Sequence, residues 1–424
     1  MAKIKVDLTK EKGRIKPMHG GGQPPLAGFR KQPYFHYLTE AGIPYSRLHD
    51  VGGDFGGGKY VDVPNIFRDF DADENNPESY DFTFTDYLLE ELVQAKVEPY
   101  FRLGITIENW WNIKTYRTQP PKDFSKWARI CEHIIAHYTK GWANGFNYNI
   151  RYWEIWNEPE GEALWGGTAE QFYELYDVSA KHLKKCFPEI MVGGYSSWGF
   201  RAIFNPDKEN GTGFEAECLR FFLDFLKYIK EHGSPLDFFS WHSYFKTKRT
   251  IEMDEYIHEK LVEFGYGDAE IHLNEWNPCF NKYGTAHHSA EIAGTMIAMQ
   301  NGFEDVMCIY DMRINTAPYC PLFDIKTKKP IHGYYAFVAF NELYKLGTQV
   351  ECVCDTDELY VLAASDGKKN AMLISNLTEE EQNLEFEGVD FTDARFYTID
   401  DERLLSWSPN AEKIGNNSVI LIQW

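Results

Sequence analysis

The spacing of apolar residues divides the chain into two parts. From about Ile15 to residue 346, short apolar runs alternate with longer segments in which apolar residues recur every three or four positions. Short runs of this kind are typical of buried strands, and the longer segments are typical of amphipathic helices. The predicted strands are 15–19, 43–48, 97–103, 150–156, 190–194, 237–241, 270–274 and 306–310. The predicted helices are 31–41, 83–95, 123–138, 169–186, 214–232, 254–264, 287–301 and 332–345.

The alternation of strands and helices predicts an α/β fold with a parallel sheet. Eight such units are the number that closes a (β/α)8 TIM barrel, and a doubly wound open sheet is the alternative. An open sheet of that kind is expected to carry a glycine-rich nucleotide loop after its first strand. Here residues 18–25 read Met-His-Gly-Gly-Gly-Gln-Pro-Pro, which lacks that motif. The sequence therefore favours the barrel.

After Gly347 the helical pattern stops and short alternating strands follow one another. These strands are 348–354, 358–365, 369–376, 382–387, 394–399 and 418–424, joined by polar turns. The pattern predicts an accessory β-sandwich domain, and the outlying strand 3–8 is expected to complete one of its sheets. The predicted division is a catalytic barrel over 14–346 and an accessory β-sandwich formed by 1–13 and 347–424.

The net charge and the targeting signals of the sequence limit the classes of partner and the cellular location that we expect for the protein. With 64 acidic and 43 basic residues the formal charge is −21, which argues against binding to nucleic acid or an anionic membrane. No apolar run approaches the length of a membrane span. The N-terminus lacks the pattern of a signal peptide, so we expect a cytoplasmic protein, with a removed signal peptide and secretion left open.

Two stretches end a predicted strand with the same short motif. Residues 152–159 read Tyr-Trp-Glu-Ile-Trp-Asn-Glu-Pro, and residues 271–278 read Ile-His-Leu-Asn-Glu-Trp-Asn-Pro. These stretches place Glu158 at the end of the fourth strand and Glu275 at the end of the seventh. The carboxyl ends of barrel strands share one face, where catalytic groups gather. Paired carboxylates at such a face are what glycoside hydrolysis requires.

The Trp-Asn-Glu-Pro motif at 156–159, together with Glu275, resembles clan A of the retaining glycoside hydrolases. Further segments resemble family 39, which includes β-xylosidases and α-L-iduronidases: Tyr-Ser-Arg-Leu-His at 45–49, Glu-Pro-Tyr-Phe at 98–101, Phe-Ser-Trp-His-Ser-Tyr at 239–244 and Leu-Phe-Asp at 322–324. The resemblance implies a retaining exo-glycosidase that needs no cofactor and acts on a β-xyloside-like unit of plant-derived glycans. The alternatives are another specificity of the family, for an arabinoside or a uronide, and a non-catalytic carbohydrate-binding barrel.

The same resemblance implies roles for individual residues. Glu158 corresponds to the acid/base of the family and Glu275 to its nucleophile, so Glu158 must begin protonated. Asn157 corresponds to the asparagine that donates a hydrogen bond to the sugar 2-hydroxyl. Tyr244 matches a tyrosine that hydrogen-bonds the nucleophile, and His242 matches a histidine of the sugar pocket. A histidine at such a position is otherwise a buried structural residue.

Three more candidates lie on neighbouring segments. Arg47 and His49 are two positions apart, so both side chains lie on one side of the second strand. Arg47 either holds the nucleophile or belongs to a buried ion pair in the barrel, and His49 is expected to bind a sugar hydroxyl. Trp110, in the loop after the third strand, is either a ring-stacking residue of an outer subsite or part of the packing of that loop.

The eighth strand departs from the family pattern. Family xylosidases carry a tryptophan there, followed by acidic residues that bind sugar hydroxyls. In this chain residues 309–315 read Ile-Tyr-Asp-Met-Arg-Ile-Asn. Arg313 either binds a carboxylate of the substrate or neutralises Asp311. The identity of the sugar, the linkage and the anomeric preference are therefore left open.

Metal binding is the other chemistry that the histidines suggest. His287 and Glu291 stand four positions apart on one predicted helical face, next to His288. Two ligands without a third at standard spacing favour a structural role, and the eight cysteines show no CxxC pair. The sequence therefore predicts no metal and a glycoside as the partner. The oligomeric state, including a homo-oligomer, is left open.

Overall fold

The chain starts with a strand outside the barrel and then forms the barrel itself. The computed structural model describes residues 1–27, 32–51, 61–105, 118–205, 211–314 and 319–424. Strand β1 covers Ala2–Arg14. The next strands are β2 (Gly20–Gly22), a short hairpin of β3 (Leu26–Ala27) and β4 (Gln32–Pro33), β5 (Tyr45–Leu48), β6 (Glu98–Leu103), β7 (Tyr152–Ile155), β8 (Met191–Ser197), β9 (Phe238–Ser243), β10 (Glu270–Trp276) and β11 (Glu304–Tyr310).

Strands β2 and β5 to β11 pair in parallel and close into a barrel in the order β10-β11-β2-β5-β6-β7-β8-β9. The helices are α1 (His36–Ala41), α2 (Val63–Ile66), α3 (Thr83–Gln94), α4 (Phe124–Lys140), α5 (Ala169–Cys186), α6 (Phe214–His232), α7 (Thr247–Phe264), α8 (Ala286–Asn301) and α9 (His332–Leu346). The predicted (β/α)8 barrel is confirmed. In the described part of the chain, no helix is long and apolar enough to cross a membrane.

Local signals in the sequence explain several of these boundaries. Helix α5 begins with a capping box, in which Thr168 and Gln171 satisfy each other's backbone N–H groups. Helix α8 is capped by the Thr285 side chain, which accepts from the N–H of His288. Helix α6 ends at Gly233, which adopts the left-handed conformation that glycine favours.

The first barrel strand lies later in the chain than predicted. The apolar run 15–19 precedes it, and the strand itself is Gly20–Gly22. A Cβ atom on Gly20 would lie 2.4 Å from the carbonyl oxygen of Met307, and one on Gly22 would lie 2.8 Å from that of Ile309. Close approach to β11 therefore requires glycine, a residue whose weak strand preference conceals the strand from pattern analysis.

The barrel interior changes from apolar to polar along its axis. Its lower part is filled by an apolar cluster of Tyr100, Tyr152, Phe238, Val306 and Cys308. Since alternate residues of a strand point the same way, the next inward side chain after Tyr152 is that of Glu154. Polar side chains thus occupy the end of the barrel at which the strands finish, and this is the end that carries the candidate site.

The accessory strands form one curled sheet beside the barrel. They are β12 (Thr348–Cys354), β13 (Leu359–Ser365), β14 (Asn370–Asn376), β15 (Gln382–Glu387), β16 (Arg395–Ile399), β17 (Leu404–Ser408), β18 (Lys413–Ile414) and β19 (Ser418–Gln423). The order of pairing is β17-β16-β19-β14-β13-β12-β1-β15-β18. As expected, β1 joins this sheet, antiparallel to β12 and parallel to β15. The barrel with an accessory β domain is the predicted fold class.

The accessory sheet packs on helices α8 and α9 of the barrel, chiefly through β13, β14 and β19. Ser375 Oγ donates to the carbonyl oxygen of Ala290 at 2.7 Å, and Gln423 Nε2 donates to Glu342 Oε2 at 2.9 Å. These contacts join the last two barrel helices to the sheet. The exact domain limits at 14 and 346 stay a prediction.

Candidate active site

The barrel brings the two strand-end glutamates together. Glu158 follows β7 by three residues, and Glu275 is the sixth residue of β10. A carboxylate oxygen of each, and one ring nitrogen of His242, all lie within 4.8 Å of one another. Glu275 is buried, whereas Glu158 is partly exposed at the mouth of the barrel. The expectation that these two carboxylates share one face is therefore met.

The backbone that presents Glu158 is held in an uncommon conformation. Trp156 has φ +73° and Glu158 has φ +47°, the left-handed region that non-glycine residues seldom occupy. Residues in such conformations cost about 1–3 kcal/mol each and persist only where their surroundings fix them. Here the Glu158 N–H donates to the Ser196 carbonyl oxygen at 3.1 Å, and the Trp156 indole N–H donates to the Leu164 carbonyl oxygen at 3.0 Å. These contacts fix the direction of the Glu158 side chain.

Each carboxylate oxygen of Glu275 receives one strong hydrogen bond. Arg47 Nη1 donates to Oε1 at 2.8 Å, and the Tyr244 hydroxyl donates to Oε2 at 2.8 Å. Hydrogen bonds to a charged acceptor are stronger than those between neutral groups. The carboxylate is thereby oriented from two sides, by β5 and by the residue that follows β9.

Arg47 is completely buried and connects most of the site. Besides Glu275 it donates to Glu154 Oε2 at 2.8 Å, to Asn157 Oδ1 at 2.6 Å and to Ser196 Oγ at 2.7 Å. The two alternatives for Arg47, contact with the strand-seven glutamate and membership of a buried ion pair, are both realised. Its bond to Asn157 leaves the buried Nδ2 of that amide without a hydrogen bond in the described structure.

Glu154 is a member of the site that pattern analysis missed. Its side chain is fully buried beneath Glu275, and it receives the Arg47 guanidinium, the Ser240 hydroxyl at 2.5 Å and the Asn274 amide. The sequence does contain a signal for this role, because Glu154 lies within an aromatic strand that is buried on both faces. Such a residue needs a buried cation, because an unpaired carboxylate is very costly in the barrel interior.

His242 lies between the two candidate catalytic carboxylates. Its Nδ1 is 2.8 Å from Glu158 Oε1 and 3.6 Å from Glu275 Oε2, and its Nε2 is 2.7 Å from Ser196 Oγ. Burial lowers the pKa of His242, but Glu275 and Glu158 outweigh burial and raise that pKa above its ordinary value. His242 thus shares one hydrogen bond with Glu158 through Nδ1 and another with Ser196 through Nε2.

His49 is buried next to the site but is engaged by protein groups. Arg102 Nε donates to His49 Nδ1 at 3.2 Å, and His49 Nε2 lies 3.2 Å from Asp50 Oδ1. Burial, reinforced by the positive charges of Arg102 and Arg47, lowers the pKa of His49 well below its ordinary value. A neutral imidazole whose Nδ1 accepts from Arg102 is the form that this arrangement favours.

Arg313, at the end of β11, is bound by acidic neighbours. Its Nε and Nη2 donate to Asp311 Oδ2 at 2.9 and 2.7 Å, and its Nη1 donates to the Asp50 carbonyl oxygen at 3.1 Å. Tyr310 in turn donates to the Asp50 carboxylate. Burial raises the pKa of Asp311 to about 6, although the Arg313 partner opposes that shift. Of the two alternatives, the structure has Arg313 neutralising Asp311.

Aromatic rings border the mouth of the site on two sides. Trp198 and Phe214 pack edge to face at 5.0 Å, and both are more than one third exposed. Tyr244 stacks on the exposed ring of Phe280 at 5.3 Å, on the side of Glu275. Trp110, the predicted stacking residue, lies outside the described residues.

Glu160 is a second acidic residue that pattern analysis missed. It follows the Trp-Asn-Glu-Pro motif, and its Oε1 accepts from Ser197 Oγ at 2.7 Å and from the Trp198 N–H at 3.2 Å. Burial raises its pKa to about 7. Its position two residues after Glu158 is the feature of the sequence that could have identified Glu160 as a site residue.

Comparison with known proteins gives the family of the chain. Residues 3–279 match the model of the family described as glycosyl hydrolases family 39. The chain is 26% identical over 229 residues to a β-xylosidase of Geobacillus stearothermophilus, a match that covers 51% of this chain and 39% of that protein. It is 22% identical over 385 residues to a β-xylosidase of Caldicellulosiruptor saccharolyticus, covering 80% of this chain and 70% of that one.

Two solved structures share the fold. A glucosidase from Croceicoccus marinus aligns with a TM-score of 0.80 at 19% identity and covers 100% of this chain and 98% of its own. A family 39 β-xylosidase from Caulobacter crescentus aligns with a TM-score of 0.69 at 17% identity, covering 99% of both chains. The match to the family model covers more than half of the chain, and the chain therefore belongs to glycosyl hydrolase family 39, whose members are glycoside hydrolases.

Proposed function

We propose that the protein is a retaining exo-glycosidase of β-xylosidase type, with Glu158 as acid/base and Glu275 as nucleophile. The observation that carries this proposal is the proximity of the two carboxylates, whose nearest oxygens lie within 4.8 Å. Retaining enzymes hold their carboxyl groups about 5–5.5 Å apart, whereas inverting enzymes need about 6.5–9.5 Å to admit a water. We infer xylose as the sugar from the names of the two β-xylosidase relatives.

In the first step the Glu275 carboxylate attacks the anomeric carbon as Glu158 transfers its proton to the departing oxygen. The bond to the aglycone breaks, and a glycosyl ester of Glu275 forms. Arg47 and Tyr244 support this step because each holds one oxygen of Glu275 at 2.8 Å. Fixed orientation of a nucleophile removes entropy from the barrier, and small displacements are costly.

In the second step Glu158, now ionised, takes a proton from water while the water oxygen attacks the anomeric carbon. The ester bond breaks, and Glu275 returns to the carboxylate. His242 contributes here because its Nδ1 lies 2.8 Å from Glu158 Oε1, and a hydrogen bond from Nδ1–H stabilises the ionised form of Glu158. The sugar leaves with the configuration that it had in the substrate.

Two features bear on the sugar. The Asn157 amide donates from Nδ2 to the sugar 2-hydroxyl, since its Oδ1 is engaged by Arg47 and its Nδ2 has no hydrogen bond in the described structure. Arg313 is paired with Asp311 at 2.7 Å and lies 4.0 Å from Asp50, so its charge is already balanced. A uronide carboxylate would meet this acidic surrounding, and a neutral pentose such as xylose fits it better.

Stereochemistry tests the mechanism directly. NMR of the first product released from a β-xyloside is expected to give β-xylose, which then mutarotates. First release of α-xylose would refute retention. Glu275→Gln should abolish turnover without changing the thermal unfolding midpoint. Glu98→Gln is the matched control, because Glu98 begins β6 at the opposite end of the barrel.

The acid/base role has its own test. Glu158→Ala should lose activity on substrates with poor leaving groups and retain glycosylation of Glu275 by activated aryl glycosides. Azide, a small anion that needs no general base, should then restore turnover and yield the β-glycosyl azide. Absence of both the azide product and the rate increase would contradict the assignment of Glu158.

Specificity is tested by a panel of nitrophenyl glycosides. The panel comprises β-xyloside, β-glucoside, α-L-arabinoside and β-glucuronide, with xylo-oligosaccharides for exo-action. The β-xyloside is expected to give the highest kcat/KM, and release of xylose alone from oligosaccharides would support exo-action. Preferred hydrolysis of the glucuronide would refute the argument from the paired Arg313.

A further inference from the structure

A second group of side chains with metal-binding chemistry lies between the barrel and the accessory sheet. Cys279 follows the strand that carries Glu275, and His287 and Glu291 lie on the first two turns of α8. One donor atom from each of these residues lies within 4.8 Å of the other two. The sequence pattern supplied only the pair at i and i+4, and the fold adds the cysteine as a third donor.

We propose that Cys279, His287 and Glu291 form a Zn²⁺ site. Cys279 Sγ lies 3.7 Å from His287 Nε2, and His287 Nε2 lies 3.9 Å from Glu291 Oε1. Tetrahedral zinc, with bonds of about 2.3 Å to sulfur and about 2.0–2.1 Å to nitrogen, requires about 3.5 Å between these two donors. Thiolate, imidazole and carboxylate are the ligands that zinc takes, and water completes the fourth position.

The surroundings orient the donors toward a common point. His287 Nδ1 is hydrogen-bonded to the side-chain carbonyl oxygen of Asn417, so Nδ1 carries the proton and the lone pair of Nε2 faces Cys279. Thr247 Oγ1 donates to Glu291 Oε2 at 3.0 Å and leaves Oε1 toward the site. Outer contacts of this kind fix the orientation of metal ligands in proteins.

Access and charge also suit a cation. His287 and Glu291 line an open cleft of about 770 Å³ between the barrel and the accessory sheet. Glu291 is only 3% exposed, and the nearest ammonium, Lys246 Nζ, stands 4.0 Å from its Oε1. Because the Lys246 side chain is 68% exposed, it can move into solvent when a metal ion binds.

A similar trio on the barrel surface lacks these features. Glu132 and His182 are paired directly at 2.6 Å, and Cys186 Sγ lies 3.8 Å from the same His182 Nε2. The nitrogen that would bind a metal is thus already engaged by the carboxylate. All three residues are partly exposed, and Cys186→Ser is therefore a matched control for the loss of a cysteine.

Cobalt, which replaces zinc in such sites, makes the test spectroscopic. The full chain is freed of metal by a chelator and titrated with Co²⁺. Wild type is expected to bind one Co²⁺ with a thiolate-to-cobalt charge-transfer band in the near ultraviolet. Cys279→Ser should lose the band, Cys186→Ser should keep it, and Zn²⁺ should displace the cobalt. Absence of the band in wild type, or its loss in Cys186→Ser alone, would overturn the proposal.

Two further variants separate ligation from folding. Asn417→Ala removes only the group that orients His287, so its affinity for Co²⁺ should fall by about 10–100-fold. Lys246→Gln removes the competing ammonium and should bind at least as tightly as wild type. Thermal unfolding without metal should be the same for wild type and Cys279→Ser, while added Zn²⁺ should raise the midpoint of wild type only. An equal rise in Cys279→Ser would refute the site.

Discussion

Tyr244→Phe isolates one contact of the candidate nucleophile. The change removes the hydroxyl that donates to Glu275 Oε2 at 2.8 Å and keeps the ring that stacks on Phe280. No charge is left unpaired, because Arg47 still donates to the other oxygen of Glu275. The variant should therefore fold normally, and its effect should appear in the kinetics.

The expected magnitude follows from the type of hydrogen bond. A hydrogen bond to a charged group contributes about 1.5–3 kcal/mol. If orientation of Glu275 is lost in full in the transition state, kcat/KM should fall by roughly 10- to 150-fold, since each 1.36 kcal/mol is a factor of ten. The main loss should be in kcat, because Tyr244 acts on the attacking carboxylate.

The assay is the steady-state hydrolysis of a nitrophenyl β-xyloside. Tyr173→Phe is the matched control, because it removes a buried hydroxyl that donates to the Phe221 carbonyl oxygen at 3.0 Å, away from the site. That variant should lose about 1 kcal/mol of stability and no activity. An unchanged or increased kcat/KM in Tyr244→Phe would mean that the hydroxyl only stabilises the resting carboxylate, and would refute the orienting role.

Three further predictions concern the buried polar groups. Arg47→Met should lower the free energy of unfolding by about 3–5 kcal/mol, because it leaves the Glu154 carboxylate buried without its cation; a loss below about 1 kcal/mol in denaturant titrations would contradict this. Although burial opposes it, two glutamates raise the pKa of His242, so the stability that it contributes is complete below pH 6.5 and is lost as the pH rises through the folded-state pKa. His242→Gln should flatten that part of the stability profile measured by thermal unfolding. Asn157→Ala should lower kcat/KM for a xyloside more than for its 2-deoxy analogue, and equal losses would contradict the 2-hydroxyl contact.

The positions of the two candidate carboxylates could be predicted from the sequence, because the topology of the barrel largely determines them. Glu158 and Glu275 each follow a recognisable apolar strand, and a closed parallel barrel puts the ends of such strands at one mouth. Arg47 was a candidate because residues 45–49 resemble the family. Its simultaneous contact with Glu275 and Glu154 was not predictable, because the lateral reach of a side chain across a barrel depends on the packing of all eight strands.

Other features of the fold and the site could not be predicted from the pattern of apolar and polar residues. Strand β7 is buried on both faces, so apolar periodicity does not distinguish the inward Glu154 from the outward Trp153. The strand Gly20–Gly22 has no side chains to reveal it. The pairing of Arg313 with Asp311 was one of two alternatives, and a choice between them required the backbone geometry at the end of β11. The proximity of Cys279 to His287 became evident only from the fold.

The place of β1 in the accessory sheet has a consequence for biosynthesis. Ile4 pairs with Cys354, so the first strand must wait for a partner that is translated after the entire barrel. At about 5–20 residues per second, the roughly 350 intervening residues take about 20–70 s. Throughout that time β1 lacks the strands β12 and β15 with which it pairs in the folded protein. Its alternation of buried Ile4 and Val6 with exposed Lys3 and Lys5 provides positive charges that discourage association with other nascent chains.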